Sequence, residues 1–595
     1  MISGSKIIHR FLVNRGIKCV SGYSGGAVLP LLNEFTQCNK IKFIKNSNEQ
    51  CSGHFAQGIS KSSSTPGVIV TTSGPGITNC ITPLYDSYAD GIPLIVISAQ
   101  VDYKFIGTDA FQEAPAIEVT KPFVKYSKLV STIEELEYIL KYSYDMALRP
   151  RCGPVHLDIP KNVLLDTIED DKCNIIYDQP YINNSFESVS NIAGKNEYND
   201  LVNRINRSKR PIFCFGKGAI NASDNANKLC MDNNIPCVTT LHGMGVVNEK
   251  YKYSLGMVGM HGSAAANIAI QEADLIIGVG NRFDDRTIGN IGKYATNTRN
   301  SKNGLGIVHI DSSYDQIAKV SKIFINEDID LLSICSDSNK IINYLVTNLV
   351  TNYKTKNNDE WTNKITNLKN QYKFEYLKTK QIKVQDVIKN IDDTIESLNI
   401  DRGNIFFTTG VGNHQMFTSQ FITWTHPGKM ITSGSAGTMG VGVPFALGVK
   451  TANPNSYVLC IDGDGSFNMT ATELLTVSEN NIPVKILIMN DSRQQMVYVW
   501  QKLFFEENYI ATENKNPSYI QLAKAYGIKA YKCDNHTDLA KINKEMMLYN
   551  DGPVIVEYVV EPDMCLPLVS PGKGLDDMIL YNETFGNLDK KNVPS

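Results

Sequence analysis

The sequence lacks the features by which several classes of protein are recognised. Its net charge is only −3, with 58 Lys and Arg residues against 61 Asp and Glu residues, so nothing indicates nucleic acid or an anionic membrane surface as a partner. No uninterrupted apolar run reaches the ~18 residues that a membrane-spanning helix needs. The 13 cysteines include no C-x-x-C pair, which favours free thiols in a reducing compartment.

No targeting segment precedes the first recognisable element. Residues 1–16 are typical of an amphipathic helix leading into a strand, and they lack the apolar core and cleavage site of a signal peptide. We expect a cytoplasmic protein, or one inside an organelle if an organelle encodes it. What the sequence does have is the composition of a globular protein, 42% hydrophobic and 20% charged over 595 residues, which is enough for three or four domains.

One stretch, residues 456–491, shows the organisation of the chain most clearly. Short apolar runs at Tyr457–Ile461 and Val484–Met489 are typical of strands that are buried on both faces. Between them, the turn Gly463-Asp464-Gly465 precedes apolar residues at helical spacing in Thr470–Glu479. A strand–helix–strand unit of this length predicts a right-handed crossover between parallel strands.

Two acids follow the two strands of this unit. Asp464 comes after the first strand and Asp491 after the second, and parallel strands bring both to the sheet edge where α/β proteins bind ligands. Carboxylate oxygens suit Mg²⁺, and the glycines let backbone N–H groups approach a diphosphate at a helix N-terminus. The alternative is a Rossmann-like unit in which the Gly-Asp-Gly sequence is incidental.

The same alternation of strands and helices recurs along the chain. It predicts three α/β units, each with a doubly wound parallel sheet. Two polar, aperiodic stretches, at 166–195 and 350–362, are typical of linkers. We therefore divide the chain into units at 1–165, 196–345 and 363–560, followed by a tail at 561–595.

Glycine turns at predicted strand ends mark further candidate sites. In the first unit, residues 73–76 (SGPG) lack the Lys-Ser/Thr of a P-loop, so a turn that lines a pocket is favoured over a nucleotide site. In the second unit, residues 216–218 (GKG) are weak evidence for a dinucleotide, and Asp311 follows a later strand, where an acid can accept hydrogen bonds from a ribose. Glu49 begins a predicted helix, where acids are common for structural reasons alone.

From about residue 8 to residue 580 the chain resembles the catalytic subunits of acetohydroxyacid synthase (acetolactate synthase), a family of thiamine diphosphate enzymes. One short motif could be chance, but eleven occur here in family order and spacing: GYSGGAVLP (22–30), NEQ (48–50), TTSGPGITN (71–79), GTDAFQE (107–113), GPVHLDIPK (153–161), GMHG (259–262), GNRFDDR (280–286), GVGNHQMF (410–417), SGSAGTMGVGVP (433–444), IDGDGSFNMT (461–470) and MVYVWQKLFFE (496–506). The resemblance implies a pyrimidine-binding first domain, a central domain associated with FAD, and a diphosphate-binding third domain.

The resemblance also implies thiamine diphosphate, Mg²⁺ and FAD as cofactors. Glu49 matches the glutamate that activates thiamine diphosphate, and Met439 matches the bulky residue that holds this cofactor bent. The metal ligands are matched by Asp464, Asp491 and the backbone carbonyl of Arg493. The other residues around thiamine diphosphate are matched by Val411, Gly412, Asn413, His414, Gly437, Gly463, Gly465, Ser466, Gln494 and Met496.

Further matches concern the substrates and the flavin. Phe111, Gln112 and Lys125 match residues that line the substrate channel across a dimer interface, and Trp500 matches the tryptophan that shapes the pocket for the second substrate. The FAD-binding stretches are matched by Lys121, His261, Arg282, Arg286, Asp311 and Asp328. Without their motifs, Met439 and Trp500 would be read as packing residues and Lys125 as a solvated lysine.

Several positions depart from the family pattern. The family's Asn-Asn pair is Asn490-Asp491 here, which adds a charge at the metal site, and the usual glutamate two positions further on is Arg493. Gln495 stands in place of a glycine, where a positive φ would cost roughly 1 kcal/mol. Lys121 replaces an arginine that contacts FAD and so loses bidentate geometry. The remaining departures are Ser24 for proline, Asn48 for histidine and Asn413 for glutamine.

The function that this resemblance implies is decarboxylation of pyruvate and addition of the remaining two-carbon unit to a second 2-oxo acid. A second pyruvate gives 2-acetolactate, and 2-oxobutyrate gives 2-aceto-2-hydroxybutyrate, both in branched-chain amino-acid biosynthesis. Two alternatives stay open: another decarboxylase or pyruvate oxidase on the same scaffold, and a non-catalytic homologue that binds thiamine diphosphate. We expect a homodimer or homotetramer, and the sequence leaves open a separate regulatory small subunit.

Overall fold

The computed structural model describes residues 1–173, 194–300, 304–349 and 359–581. Among these residues, three six-stranded sheets, each with parallel strands throughout, organise the chain into three α/β units. The prediction of three α/β units with parallel sheets is confirmed. Across the same residues, no helix combines the length and the apolar character needed to cross a bilayer.

The first unit lies within residues 1–173. Its strands are β1 (Ile2–Ser3), β2 (Cys19–Gly22), β3 (Lys42–Lys45), β4 (Gly67–Thr71), β5 (Leu94–Gln100), β6 (Tyr126–Leu129), β7 (Pro154–Pro160) and β8 (Thr167–Ile168). Its helices are α1 (Gly4–Asn14), α2 (Leu29–Gln37), α3 (Glu49–Ser62), α4 (Pro75–Thr78), α5 (Ile81–Asp90), α6 (Ala116–Thr120), α7 (Ile133–Leu148) and α8 (Lys161–Leu165). The main sheet has the order β3-β2-β4-β5-β7-β6.

The second unit has a different strand order. Its strands are β9 (Pro211–Phe215), β10 (Cys237–Thr239), β11 (Ser254–Met257), β12 (Leu275–Val279), β13 (Ile307–Asp311) and β14 (Leu331–Cys335). Its helices are α9 (Lys195–Arg207), α10 (Ser223–Asn233), α11 (Ala264–Glu272), α12 (Asp285–Ile288), α13 (Thr296–Asn300), α14 (Tyr314–Ile325), α15 (Ser338–Leu349) and α16 (Asp359–Gln371). The order β11-β10-β9-β12-β13-β14 reverses direction between β9 and β12, which creates a crevice at their carboxyl ends.

The third unit returns to the strand order of the first. Its strands are β15 (Ile405–Thr409), β16 (Met430–Ile431), β17 (Tyr457–Gly463), β18 (Lys485–Asn490), β19 (Lys529–Cys533) and β20 (Val554–Val559), followed by the hairpin strands β21 (Leu568–Val569) and β22 (Met578–Ile579). Its helices are α17 (Val384–Ser397), α18 (Asn413–Phe421), α19 (Gly442–Ala452), α20 (Asp464–Thr470), α21 (Leu474–Glu479), α22 (Gln495–Phe504), α23 (Tyr519–Ala525) and α24 (His536–Leu548). The main sheet has the order β16-β15-β17-β18-β20-β19.

Both faces of the third sheet are covered, which explains its continuous apolar strands. Leu459 and Ile461 of β17 point into one hydrophobic cluster, and Val458 and Cys460 point into the cluster on the opposite face. β17 pairs in parallel with β18 so that Gly463 lies opposite Met489. The two strands therefore end together, and the residues that follow them emerge side by side.

The helix predicted at Thr470–Glu479 differs from the structure at its start. Helix α20 already begins at Asp464, and a 3-10 turn at residues 471–473 separates it from α21. The residue before α20, Gly463, has an extended backbone with φ −85° and ψ 154°. The Gly-Asp-Gly sequence is therefore a strand end followed by the first turn of a helix, where the carboxylate of Asp464 is favourable.

The predicted linkers and tail are partly built into the fold. In the stretch 166–195, β8 pairs antiparallel with β1, and residues 174–193 lie outside the described part of the chain. Helix α16 crosses the predicted boundary at residue 363, yet it packs on the second unit: Trp361 is buried there and donates from Nε1 to the Pro211 carbonyl at 3.1 Å. In the predicted tail, the β21–β22 hairpin also packs against the second unit.

Candidate active site

The carboxyl edge of the third sheet carries the two predicted metal-binding acids. Asp464 is the first residue of α20 and only 1% exposed, and Asp491 directly follows β18. Burial raises the pKa of Asp464. Burial and then the nearby Asp464 carboxylate raise the pKa of Asp491 to about 7. Two neighbouring carboxylates repel each other when both are charged, and a divalent cation bound between them would stabilise the charged form of both.

Two asparagine side chains that the sequence did not single out donate to Asp464. Asn516 and Asn514 each donate from Nδ2 to Oδ2 of Asp464, at 2.6 and 3.0 Å. Asn516 Nδ2 also lies 2.9 Å from Oδ1 of Asn490. Such contacts orient a ligating carboxylate. No sequence signal distinguished these two residues, because asparagine is abundant throughout the chain.

The loop after β18 shows how the substitutions at this edge are accommodated. The backbone N–H of Arg493 donates to Oδ1 of Asp491 at 3.1 Å, and the Arg493 guanidinium lies 4.3 Å from the centre of the Tyr498 ring. The left-handed backbone falls on Ser492, with φ 58°, whereas Gln495 has no positive φ and begins α22. Gln495 in place of glycine therefore causes no backbone strain.

The predicted diphosphate-binding residues surround the starts of α18 and α20. Gly412, at the N-terminus of α18, has φ 149°, a region that favours glycine. A Cβ at Gly463 would lie 2.7 Å from Nδ1 of His414, so a larger residue there would displace the His414 ring. Nδ2 of Asn413 donates to the Asp563 carbonyl at 3.1 Å.

The remaining residues predicted to surround thiamine diphosphate approach the same place from two loops. A Cβ built on Gly465 would lie 3.3 Å from Cγ of Gln494 and 3.9 Å from Cε of Met439. The hydroxyl of Ser466 accepts from the backbone N–H of Gly440 at 2.9 Å. Five predicted residues of the third unit line the large cavity described below: Val411, Gly412, Gly437, Met496 and Trp500.

At the carboxyl edge of the first sheet, Glu49 is the first residue of α3 and is 8% exposed. Its Oε2 accepts from Nδ2 of Asn79 at 2.9 Å. Asn48 serves as the N-cap of α3, since its side chain accepts from the Cys51 N–H at 2.8 Å. Asn48 therefore stabilises the start of α3 at the position where the family has histidine.

The three predicted channel residues of the first unit lie on loops. Phe111 is 89% exposed. Gln112 has φ 63°, and its carbonyl oxygen would lie 3.0 Å from a Cβ at Gly74 in the SGPG turn. Nζ of Lys125 donates to the Arg149 carbonyl at 2.7 Å, and burial is the main cause that lowers the pKa of Lys125 to about 8.

A cavity of about 2010 Å³ opens where the three units meet, at the crevice of the second sheet. Four of the residues predicted to bind FAD line it: His261, Arg282, Arg286 and Asp311. Burial lowers the pKa of His261 to about 4 and raises the pKa of Asp311 to about 6. Lys217, in the GKG turn, also lines the cavity and donates to the carbonyls of Asp90 and Gly91 at 2.8 and 2.9 Å.

Two residues predicted to bind FAD are not brought to this cavity. Asp328 lies in the turn before β14, at the amino edge of the sheet, and Lys121 is exposed at the end of α6. The acid that does line the cavity near this strand is Asp337, which follows the carboxyl end of β14. The rule that ligands bind at carboxyl ends of strands would have selected Asp337 over Asp328.

The large cavity is lined by only some of the predicted site residues. In the part of the chain that the structure describes, the walls of the cavity include Trp500 but not Glu49, Phe111, Gln112 or Lys125. Over the same described ranges, no group of three or more His, Cys, Asp and Glu side chains is placed to hold a metal ion. The candidate metal site accordingly has two side-chain carboxylates.

Three family models match the chain, one for each unit. Residues 2–119 match "Thiamine pyrophosphate enzyme, N-terminal TPP binding domain". Residues 198–340 match the "central domain" of the same enzymes. Residues 410–558 match their "C-terminal TPP binding domain".

Curated relatives align with nearly the whole chain. The "Acetolactate synthase catalytic subunit, mitochondrial" of Saccharomyces cerevisiae is 37% identical over 596 residues, covering 98% of this chain and 84% of that protein. The "Acetolactate synthase large subunit" of Lactococcus lactis is 35% identical, covering 99% of this chain and 98% of that protein. The "Probable acetolactate synthase large subunit" of Methanococcus aeolicus is 33% identical, with 97% and 95% covered.

Proposed function

We propose a carboligation reaction for this chain, which belongs to the acetolactate synthase family of thiamine pyrophosphate enzymes. It decarboxylates pyruvate and joins the remaining two-carbon unit to a second 2-oxo acid. Pyruvate as the second substrate gives 2-acetolactate and 2-oxobutyrate gives 2-aceto-2-hydroxybutyrate, for branched-chain amino-acid biosynthesis. The observation that carries the proposal is the pair formed by buried Asp464 and half-buried Asp491, at the carboxyl edge of a sheet that matches a thiamine pyrophosphate-binding domain.

The third unit fits thiamine diphosphate held through Mg²⁺. Asp464 and Asp491 would supply carboxylate oxygens to the cation, and the mutual repulsion of their charges favours its binding. The N-termini of α18 and α20, with glycine at Gly412 and Gly463, suit a diphosphate. When bound, thiamine diphosphate supplies the electron sink that decarboxylation of a 2-oxo acid needs.

The first unit would supply the acid that activates this cofactor. Oε2 of Glu49 accepts a hydrogen bond from Asn79, which leaves Oε1 to hold the proton that Glu49 shares with the aminopyrimidine ring. Lys125, whose pKa is lowered to about 8 mainly by burial, is charged at neutral pH and would attract the carboxylate of an incoming 2-oxo acid. Phe111 and Gln112 would complete the channel, and Trp500 would shape the pocket for the second substrate.

The cavity between the units fits a dinucleotide, and we propose FAD as its occupant. Its volume of about 2010 Å³ lies at the strand-order reversal of the second sheet, where dinucleotides bind in this topology. Asp311 ends β13 and Asp337 follows the adjacent strand β14, so both could accept from ribose hydroxyls, while Arg282 supplies positive charge for a diphosphate. The carboligation transfers no net electrons to a flavin, so its role here would be structural.

We also propose that the working unit is a homodimer or a homotetramer. Glu49 and the Asp464–Asp491 pair stand at the carboxyl edges of different sheets, and the described walls of the cavity do not include Glu49. A two-fold dimer in which the first unit of one subunit faces the third unit of its partner would complete two sites at once. The relatives named as catalytic or large subunits support a regulatory small subunit as an additional partner.

The compartment is a proposal as well. Twelve of the 13 cysteines, all except Cys173, are free thiols in the structure, which supports a reducing location such as the cytoplasm or the interior of an organelle.

The test is a product assay on the purified chain. The protein is incubated with pyruvate, thiamine diphosphate and Mg²⁺, with and without 2-oxobutyrate, and acetolactate and acetohydroxybutyrate are quantified beside acetaldehyde and acetyl phosphate. We expect acetolactate from pyruvate alone and both acetohydroxy acids when 2-oxobutyrate is present. Acetaldehyde or acetyl phosphate as the main product would favour the alternative decarboxylase or oxidase reaction, and cofactor binding without any product would favour a non-catalytic homologue.

A further inference from the structure

One segment of the third unit, residues 433–440, has no helical or strand structure of its own. It joins β16 to α19 and carries Gly437, with φ 68°, and Met439. Without backbone hydrogen bonds of a regular element, the position of such a segment depends on the side chains that hold it. Two buried acids of the first unit, Asp86 and Asp90, accept hydrogen bonds from the 433–440 segment.

Asp86 holds the segment at two points. Its Oδ1 accepts from the hydroxyl of Ser433 and from the hydroxyl of Thr438 at 3.2 Å. Its Oδ2 accepts from Nε2 of Gln57 at 2.8 Å. Asp86 is completely buried, so both of its oxygens are used inside the protein.

Asp90, one helical turn further along α5, holds the start of the segment. Its Oδ1 accepts from the backbone N–H of Ser435 at 2.9 Å and from the hydroxyl of Ser435 at 2.6 Å, and its Oδ2 accepts from the Gly434 N–H at 3.1 Å. Residues four apart on a helix lie on one face. The two acids therefore act together on one short segment.

The charge of Asp90 is balanced inside the protein. Nζ of Lys61 and Nε2 of His242 each lie 3.2 Å from Oδ2 of Asp90. Burial alone would raise the pKa of Asp90, but His242 and Lys61 outweigh it and hold this pKa well below its ordinary value. Asp90 therefore stays a carboxylate and keeps its acceptors for the segment.

The other end of the segment is fixed to the helix that carries Asp464. The Gly440 N–H donates to Oγ of Ser466 at 2.9 Å, and the Thr470 hydroxyl donates to the Gly440 carbonyl at 2.7 Å. In the chain, Met439 thus lies between Thr438, which is hydrogen-bonded to the first unit, and Gly440, which is hydrogen-bonded to α20. Gln415 Nε2 also donates to the Ser433 carbonyl at 3.0 Å, and Arg282 donates to the Ser435 hydroxyl at 2.6 Å. Loss of the first-unit contacts would therefore weaken, but not abolish, the fixation at the start of the segment.

We propose that Asp86 and Asp90 are positioning residues, which act through the 433–440 segment to set where Met439 stands in the cofactor site. The inference rests on the proposed function, in which Met439 contacts thiamine diphosphate. The competing explanation is that the two acids only attach the first unit to the third. That explanation predicts that any lost contact between these units has the same effect.

The experiment uses the full chain with thiamine diphosphate and Mg²⁺, and compares Asp86→Asn, Asp90→Asn, Ser433→Ala and the double variant Asp86→Asn/Ser433→Ala. Three quantities are measured: the rate at which the C2 proton of bound thiamine diphosphate exchanges for deuterium, the Kd for thiamine diphosphate, and kcat and KM for pyruvate. The matched control is Asn453→Ala, which removes a contact from Nδ2 of Asn453 to Ser62 Oγ at 3.0 Å. This contact also joins the third unit to the first, but away from the segment.

We expect Asp86→Asn to slow both C2 exchange and kcat by about tenfold or more, since displacements near 1 Å in a reacting site have effects up to about a hundredfold. KM and Kd should change by less than about threefold, because the diphosphate and metal contacts are elsewhere. Ser433→Ala should slow exchange in the same direction, and the double variant should be no slower than Asp86→Asn, because both changes remove one interaction. Asn453→Ala should stay within about twofold of wild type.

Three results would overturn the proposal: an unchanged exchange rate in Asp86→Asn, an equal loss in Asn453→Ala, or additive losses in the double variant. If circular dichroism shows that Asp86→Asn does not fold, the same three quantities are measured for Ser433→Ala and Thr438→Val. These variants remove the hydroxyls that donate to Asp86. A wild-type protein that exchanges the C2 proton but releases no acetolactate would refute the proposed function, while the exchange rates would still decide whether the acids position the segment.

Discussion

The first and third sheets have the same strand order but very different carboxyl edges. When only the strands of each six-stranded sheet are numbered, in chain order, both sheets run 2-1-3-4-6-5. The edge of the first sheet presents a single buried glutamate, Glu49, next to Asn79. The edge of the third presents the Asp464–Asp491 pair with donors from Asn514 and Asn516. Two copies of one topology thus carry different chemistry, because the residues that follow the strands decide it.

The second sheet shows the complementary case, in which topology itself makes the site. Its order, 3-2-1-4-5-6 when numbered within the unit, is the order that leaves a crevice between the first and fourth strands. There Gly216 and Gly280 approach so closely that a Cβ at Gly216 would lie 2.2 Å from the Gly280 carbonyl oxygen. The large cavity lies at this crevice, whereas the proposed thiamine diphosphate site needs residues from both the first and the third sheets.

The largest expected effect comes from replacing Glu49, the glutamate at the carboxyl edge of the first sheet. Glu49→Gln should lower kcat by about a hundredfold or more, since loss of a positioned acid removes a proton-transfer contribution of this size. Thiamine diphosphate binding, measured by fluorescence titration, should stay within about tenfold because the diphosphate site is in the third unit. The matched control is Glu118→Gln, another glutamate in the first turn of a helix, which is exposed. Activity near wild type in Glu49→Gln would contradict the role of Glu49.

The second prediction concerns the acid pair of the third sheet. Asp464→Ala should weaken Mg²⁺-dependent binding of thiamine diphosphate by about a hundredfold, because the cation loses a ligand and its neighbour loses a partner. Asp491→Asn should weaken it by no more than about tenfold, since an amide oxygen is also a ligand for Mg²⁺. Titration of the cofactor at several Mg²⁺ concentrations measures both. Equal affinity in wild type and Asp464→Ala would remove Asp464 from the metal site.

The third prediction tests whether the two edges meet across a subunit boundary. Glu49→Gln and Asp464→Ala proteins, each inactive, should regain about a quarter of wild-type activity when they are mixed in equal amounts and exchange subunits at random. Half of the dimers are then mixed, and each mixed dimer has one intact site out of two. Light scattering establishes the assembly, and differently tagged subunits establish the exchange. If activity does not recover although the subunits exchange, Glu49 and Asp464 act together within one subunit. Full wild-type activity in a monomer would show the same.

The smallest expected effect concerns the second sheet and its dependence on pH. Burial, followed by the charge of Lys61, lowers the pKa of Lys217 to about 7, from about 10.4 in an unfolded chain. Above about pH 10.4 the Lys217 amine is neutral in both the folded and the unfolded chain, so its burial costs no stability. As pH falls from there to about 7, only the unfolded chain gains the proton, and the free energy of unfolding decreases. Lys217→Met should raise Tm relative to wild type more at pH 6.5 than at pH 9.

Differential scanning calorimetry of wild type and Lys217→Met at both pH values measures this difference. Lys228→Met, an exposed lysine of the same unit, provides the control and should give the same small shift at both. A Tm difference between wild type and Lys217→Met that does not depend on pH would show that Lys217 keeps its charge in the folded protein.

Much of the site could be predicted from sequence because local signals fix it. A buried apolar run, a glycine turn and a helix force a parallel crossover, and the crossover brings Asp464 and Asp491 to one edge. The helix that starts at Asp464 was misplaced, since Gly463-Asp464-Gly465 is equally typical of a turn. Asp328 was named from the family resemblance alone, and the bounds of β14, which the structure supplies, place Asp337 rather than Asp328 after its carboxyl end.

What the sequence determined by itself is the number and class of the units and the acids at their strand ends, because strand alternation and glycine turns depend on neighbouring residues only. The tertiary structure alone decided the strand orders, the cavity between the units, and the contacts of Asp86 and Asp90 with the 433–440 segment. Those acids and that segment are more than 340 residues apart in the chain. Only the packing of one sheet against another brings such residues within hydrogen-bond distance, and no local pattern records it.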